Sequence, residues 1–198
     1  MKKILIFIVI ISSLSFNRMM KTSIETINLS LTKDELGIIF ISVKDNKGLL
    51  LSLNNQNILY IFQLHNYLEI TNYLKPLSIN IDYIIMNDNY QIDNNQIIFQ
   101  QYLYLNKIYF EKQDYIMIKY NNQTLCINPL YNNCDYVYYL DELDFYINDN
   151  TKLFLYNDDI NVDKIYNKWI DSYKITNQLY TILKIKDKYE VISIQKNI

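Results

Sequence analysis

The chain has 198 residues, a formal net charge of -2, half of its residues apolar and a fifth charged, with two glycines and two prolines. This composition excludes disordered and collagen-like chains and is long enough for one domain with a real core. The near-neutral balance excludes a global attraction to nucleic acid, which relies on clustered Lys and Arg.

Residues 1–21 read as a signal peptide or short membrane anchor, and residues 22–198 as a single domain. Met1-Lys2-Lys3 precedes the apolar run Ile4 to Ile11, with Ser13 and Ser15 as a passable cleavage region. From Ile4 to Asn17 the uncharged stretch would span about 21 Å as helix, short of the roughly 30 Å of a bilayer core. Cleavage, retention as an anchor and burial as a first element of a soluble protein all remain open. The expected location is exported or membrane-anchored, with the body outside the cytoplasm and the N-terminus in contact with membrane. A start at Met19 or Met20 would instead make the protein cytoplasmic.

From Ser23 onward, β-branched and aromatic runs alternate with Asn, Asp and Lys clusters, which predicts strands joined by turns. Ile24 to Leu31 is a predicted first strand. Leu36 to Val43 and Leu49 to Leu53 form a predicted hairpin in which Gly48 supplies a positive φ. Asn57 to Phe62 is a further short strand. A helix is expected over His65 to Lys75, stopped by Pro76, and a buried strand over Ile79 to Met86. Ile97 to Phe110 reads as strand pieces, and Tyr115 to Tyr120 with Gln123 to Asn128 as a hairpin turning at Asn121-Asn122. Cys134 to Leu140 and Leu153 to Tyr156 are two more strands. A second helix is expected over Ile160 to Ile170, anchored by Trp169, and a closing hairpin over Tyr173 to Leu183 and Tyr189 to Ile194.

The expected fold class is α/β, a four-layer αββα sandwich of two mixed, largely antiparallel sheets with outer helices.

Much familiar chemistry is missing. His65 is the only histidine and reads as a surface or cap residue. Cys126 and Cys134 are expected as free, partly buried thiols, because two different strands need not bring them together, although export would permit pairing. There is no glycine-rich phosphate loop and no nucleophile elbow, so no cofactor and no catalytic residue is assigned. Tyr102, Tyr104 and Tyr109 could offer a stacking platform for single-stranded nucleic acid, but tyrosine in half-buried strands is the expected role. Carboxylates remain: Asp88, Asp93, Asp141, Asp144 and Asp158 lie after predicted strands and are weak candidates for a hard cation if their loops converge. Ordinary solvated loops are the expected alternative.

The order of elements resembles the metallo-β-lactamase fold, and more narrowly a degenerate C-terminal domain of the DNA-uptake competence protein ComEC family. Ile81-Asp82-Tyr83-Ile84-Ile85-Met86 is similar to the family's I-D-x-I-I strand entering its H-x-H-x-D-H metal loop. Cys126-Ile127-Asn128-Pro129 stands where that family has glycine and aspartate, and Asp141-Glu142-Leu143 stands where an H-H-G-S loop would follow a strand. The resemblance implies a scaffold that has lost its metal histidines. The expected function is a non-catalytic binding or scaffold domain with a protein partner, in an envelope or DNA-uptake assembly. The alternatives are a weak divalent-cation-dependent hydrolase built on the loop carboxylates, and a structural protein of unrelated β-rich fold.

Overall fold

The computed structural model describes residues 29–86, 95–99, 101–112, 115–129, 133–140, 150–157, 160 and 170–196. The amino-terminal signal or anchor segment therefore lies outside the described residues, as do Trp169 and the body of the expected second helix. Among the described residues, no helix is long and apolar enough to cross a membrane.

In chain order the strands are β1 (Leu36–Val43), β2 (Asn46–Leu53), β3 (Gln56–Gln63), β4 (Tyr83–Met86), β5 (Gln96–Ile98), β6 (Tyr102–Leu105) and β7 (Ile108–Lys112). They continue as β8 (Ile116–Tyr120), β9 (Gln123–Ile127), β10 (Tyr136–Tyr139), β11 (Leu153–Asn157), β12 (Asp171–Ile175), β13 (Leu179–Ile185) and β14 (Tyr189–Gln195). Among the described residues, one α-helix, α1 (Tyr67–Leu74), follows β3. The strands form two seven-stranded sheets, ordered β14-β13-β1-β2-β3-β4-β5 and β12-β11-β10-β9-β8-β7-β6. Each is mixed: β3, β4 and β5 run parallel in the first, and β9 through β12 run parallel in the second.

Strands that are apolar on both faces explain the burial. Leu49, Leu51 and Leu53 of β2 enter a cluster shared with Phe110, Leu125, Tyr138 and Leu155 of the second sheet, whereas Leu50 joins a separate cluster with Ile70, Tyr73 and Leu74 of α1. Phe40 meets Tyr138 edge to face, with ring centroids 4.8 Å apart. The shared cluster is thus the contact between the two sheets. Several tyrosines are fully buried, among them Tyr60, Tyr136, Tyr138, Tyr139 and Tyr180, as expected for tyrosine in strands. Tyr102 and Tyr104 on the edge strand β6 are instead exposed.

Several boundaries differ from the sequence expectation. Leu29 to Leu31, the described end of the expected first strand, belong to no strand. The positive φ of the first hairpin falls on Lys44, at 50°, and neither glycine has one. Gly48 lies inside β2, beside an irregularity in the β2–β3 pairing, where a Cβ would come within 2.6 Å of the Tyr60 carbonyl oxygen. It is required by close approach, not by a turn. The α-helix starts two residues later than expected, at Tyr67, and ends ahead of Pro76 as expected; a 3₁₀ turn over Lys75–Leu77 follows, with the proline near its start, where it is tolerated. The buried strand before residue 87 is shorter than expected, covering Tyr83–Met86. Tyr173 to Leu183 is not one strand: β12 ends the second sheet, and β13 crosses to pair with β1 in the first.

The expectation of free thiols is also overturned. Cys126 and Cys134 form a disulfide with Cα atoms 6.0 Å apart. Strands β9 and β10 are parallel neighbours with Cys126 opposite Val137, so the approach to β10 lies beside β9. Both cysteines are buried with Val137, Tyr139 and Phe154 on the face turned away from the shared core.

Candidate functional site

Contacts between the sheets fix which strand ends lie together. Lys107 in the β6–β7 turn pairs with Asp34 at 3.1 Å, and the Tyr120 hydroxyl donates to the Asp34 carbonyl at 2.8 Å. Asn106 donates to the Leu53 carbonyl at 3.1 Å, and Gln123 donates to the Lys186 carbonyl at 2.8 Å. The Asn54 amide, and then the Lys107 ammonium, hold the exposed Asp34 carboxyl below the usual range. All these groups sit at the amino ends of the parallel strands. The carboxyl ends of β3, β4, β9, β10 and β11 therefore share the opposite edge, the position at which parallel sheets bind ligands.

Among the described residues, the strand ends on the second sheet's side of this edge are tied together by neutral groups. Asn128, just past β9 and at a positive φ of 50°, accepts the Leu140 N–H at 2.7 Å through its side-chain oxygen. Its own N–H donates to the Tyr138 carbonyl at 2.9 Å. Asn157, buried at the end of β11, donates to the Leu140 carbonyl at 2.9 Å and accepts the Tyr138 hydroxyl at 2.7 Å. The Tyr139 hydroxyl donates to the Pro129 carbonyl at 2.8 Å. Two asparagines and two tyrosines thereby bind the ends of three parallel strands to one another.

The expected carboxylates cannot be placed against this frame. Asp88, Asp93, Asp141, Asp144 and Asp158 all lie outside the described residues. Their flanking anchors are described: β4 ends at Met86, β10 at Tyr139, just before Leu140, and β11 at Asn157, all at this edge. His65 is exposed, and its backbone N–H donates to Asn46 at 2.9 Å; the neighbouring Asn66 caps α1. Sequence reasoning missed Asn128 and Asn157. The available signal was an asparagine at the close of an otherwise apolar strand.

The donor chemistry does not suit zinc. The chain has one histidine, exposed at the start of α1, and both cysteines form the disulfide. A zinc site takes three or four nitrogen, sulfur and carboxylate ligands, and among the described residues no group of three such side chains is poised to hold a metal.

No family model matches the sequence, and no curated protein matches it. Solved structures do. The chain is similar to the metallo-β-lactamase fold protein YhfI from Bacillus subtilis, with a TM-score of 0.51 and 9% identity over 76% of this chain and 100% of that one. It also aligns with a proposed zinc-dependent hydrolase of the metallo-β-lactamase superfamily from Thermotoga maritima, at a TM-score of 0.43 and 7% identity over 71% and 98% of the two chains. At such identities the likeness to YhfI is one of architecture, and the two mixed seven-stranded sheets described above follow the metallo-β-lactamase fold.

Proposed function

We propose that this chain is an exported, non-catalytic member of the metallo-β-lactamase fold, an αββα sandwich whose carboxyl edge binds a partner instead of activating water. The observation that carries this reading is the way the strand ends are tied at this edge: among the described residues, Asn128, Asn157 and Tyr138 use their polar atoms on one another and on backbone. Hydrolysis in this fold requires metal-bound water, and the donor set offers no imidazole or thiolate cluster to hold the metal. The Cys126–Cys134 disulfide supports export, since such bonds persist in oxidising compartments. A protein partner in an envelope or DNA-uptake assembly suits a fold kept without its metal chemistry.

The competing reading is a cation-dependent hydrolase using Asp88, Asp93, Asp141, Asp144 and Asp158, favoured only by the shared edge at which their strands end. Metal content and turnover decide between them. Purified protein, dialysed after loading with zinc or manganese, is expected to retain less than stoichiometric metal. It is also expected to hydrolyse a generic phosphodiester no faster than the metal blank. Retained stoichiometric metal, or turnover lost on Asp88→Asn or Asp141→Asn, would overturn the proposal.

A further inference from the structure

We propose that β6 is a dimerisation edge, through which two copies of this chain pair antiparallel about a two-fold axis and join their second sheets. The two sheets end in β14, β5, β12 and β6. β14 carries Glu190, β12 carries Asp171 and Lys174, and β5 is only 3 residues long. Charge and shortness are ways in which sheet edges are kept from pairing with other chains. β6, Tyr102-Leu103-Tyr104-Leu105, has neither charge nor proline, and its register with β7 is unbroken. Leu103 and Leu105 pack against the shared core, whereas Tyr102 and Tyr104 stand on the opposite face, 53% and 68% exposed.

Backbone polarity fixes the register that a second copy would take. The Asn106-Lys107 turn joins β6 to β7 with both residues at positive φ, and the Lys112 N–H donates to the Gln101 carbonyl at 2.9 Å. Hydrogen-bonded pairs alternate along an antiparallel ladder. Leu103 and Leu105, in step with Gln101, therefore spend their N–H and C=O groups on β7, and those of Tyr102 and Tyr104 point away from it. With Leu103 opposite its own copy, Tyr102 of each chain exchanges both bonds with the partner's Tyr104, and the leucines of both copies keep to the core face. A slip of one residue would set the leucines of one copy on the tyrosine face of the other, and a slip of two would break both tyrosine pairs. Charge agrees with this register. Glu111 lies beside Tyr102, and Lys119 lies beside Tyr109, which is opposite Tyr104. Each outer row thus runs from Glu111 of one copy, through the tyrosines, to the partner's Lys119, with unlike charges at its two ends.

This face takes no part in the metal and turnover tests above, so the two proposals fail separately. Sedimentation of the full chain over a concentration series is expected to show a monomer–dimer equilibrium. Tyr104→Lys, which sets an ammonium into each tyrosine pair, should weaken association about tenfold or more, while Tyr173→Lys on the charged edge strand β12 leaves it unchanged. The register has its own readout. Leu103→Cys should form an intermolecular disulfide on oxidation, because a non-hydrogen-bonded pair brings the Cα atoms to about 4.5 Å, and Leu105→Cys should not. A chain that stays monomeric throughout, a dimer that survives Tyr104→Lys, or equal cross-linking at both positions would overturn the interface. Oligothymidine bound by the monomer and lost in Tyr104→Ala would overturn it too, giving the tyrosine face to single-stranded nucleic acid.

Discussion

At the scale of single residues, asparagine does work that glycine does elsewhere. Positive φ values occur at Asn54, Asn55, Asn106, Asn121, Asn122 and Asn128, while neither glycine has one. Asparagine tolerates the left-handed region better than other residues with a Cβ, so a chain with two glycines can still make tight two-residue hairpins. Asparagine abundance reads from composition as bias, but at these positions it is structural. Gly48 is then retained for space. Its missing Cβ leaves room for the Tyr60 carbonyl oxygen, which a substituent would approach to 2.6 Å. That atom is backbone and cannot swing away. Gly48→Ala should therefore lower stability by about 1–3 kcal/mol, the usual range for overpacking. Chemical denaturation would measure it, and an unchanged midpoint would mean that β2 and β3 separate freely at this point.

At the scale of elements, the second sheet divides at β9. Its antiparallel part is made of sequential hairpins, whereas β9 to β12 are parallel neighbours. Hairpins were legible because each turn lies within the sequence window that defines its strands. Tyr115 to Asn128 shows this, with the turn at Asn121-Asn122 found where the residues predict it. Parallel pairing has no such local mark. Cys126 and Cys134 looked unrelated for that reason, and so did Asn128 and Asn157, whose roles depend on Leu140 lying between them. The loop carboxylates were visible as residues, but their strands' shared edge emerged only from the contacts between sheets. The disulfide closes a short loop between two of these parallel strands. By loop-closure entropy its removal should lower stability by about 2.5 kcal/mol. Denaturation of the chain with and without reductant, and of the double Cys→Ser variant, would measure this. Equal midpoints would show that the thiols are not bonded in solution and would remove the support for export.

At the scale of the whole molecule, the two sheets differ in how they use the chain. The second is contiguous from β6 to β12, but the first joins β1 to β5 with β13 and β14 from the opposite end. β1 sits between β2 and β13, and both its faces are buried: Phe40 in the shared core, Ile39 and Ile41 in the cluster beside α1. Leu183 and Ile185 of β13 complete the first cluster, and Tyr180 and Ile182 complete the second. Tyr180 also donates its hydroxyl to the Tyr73 carbonyl at 2.6 Å, linking the last hairpin to α1. A chain truncated after Ile175 would retain every strand of the second sheet yet expose β1 as a long apolar edge, the kind of edge that templates association. Such a truncation is expected to aggregate or to lose cooperative thermal unfolding, read by size-exclusion chromatography and circular dichroism. A soluble, cooperatively unfolding product would show that the first sheet closes without its terminal hairpin. With the hairpin required, the first sheet must wait for the chain's final strands, and its long-range pairing makes that a slow step of folding.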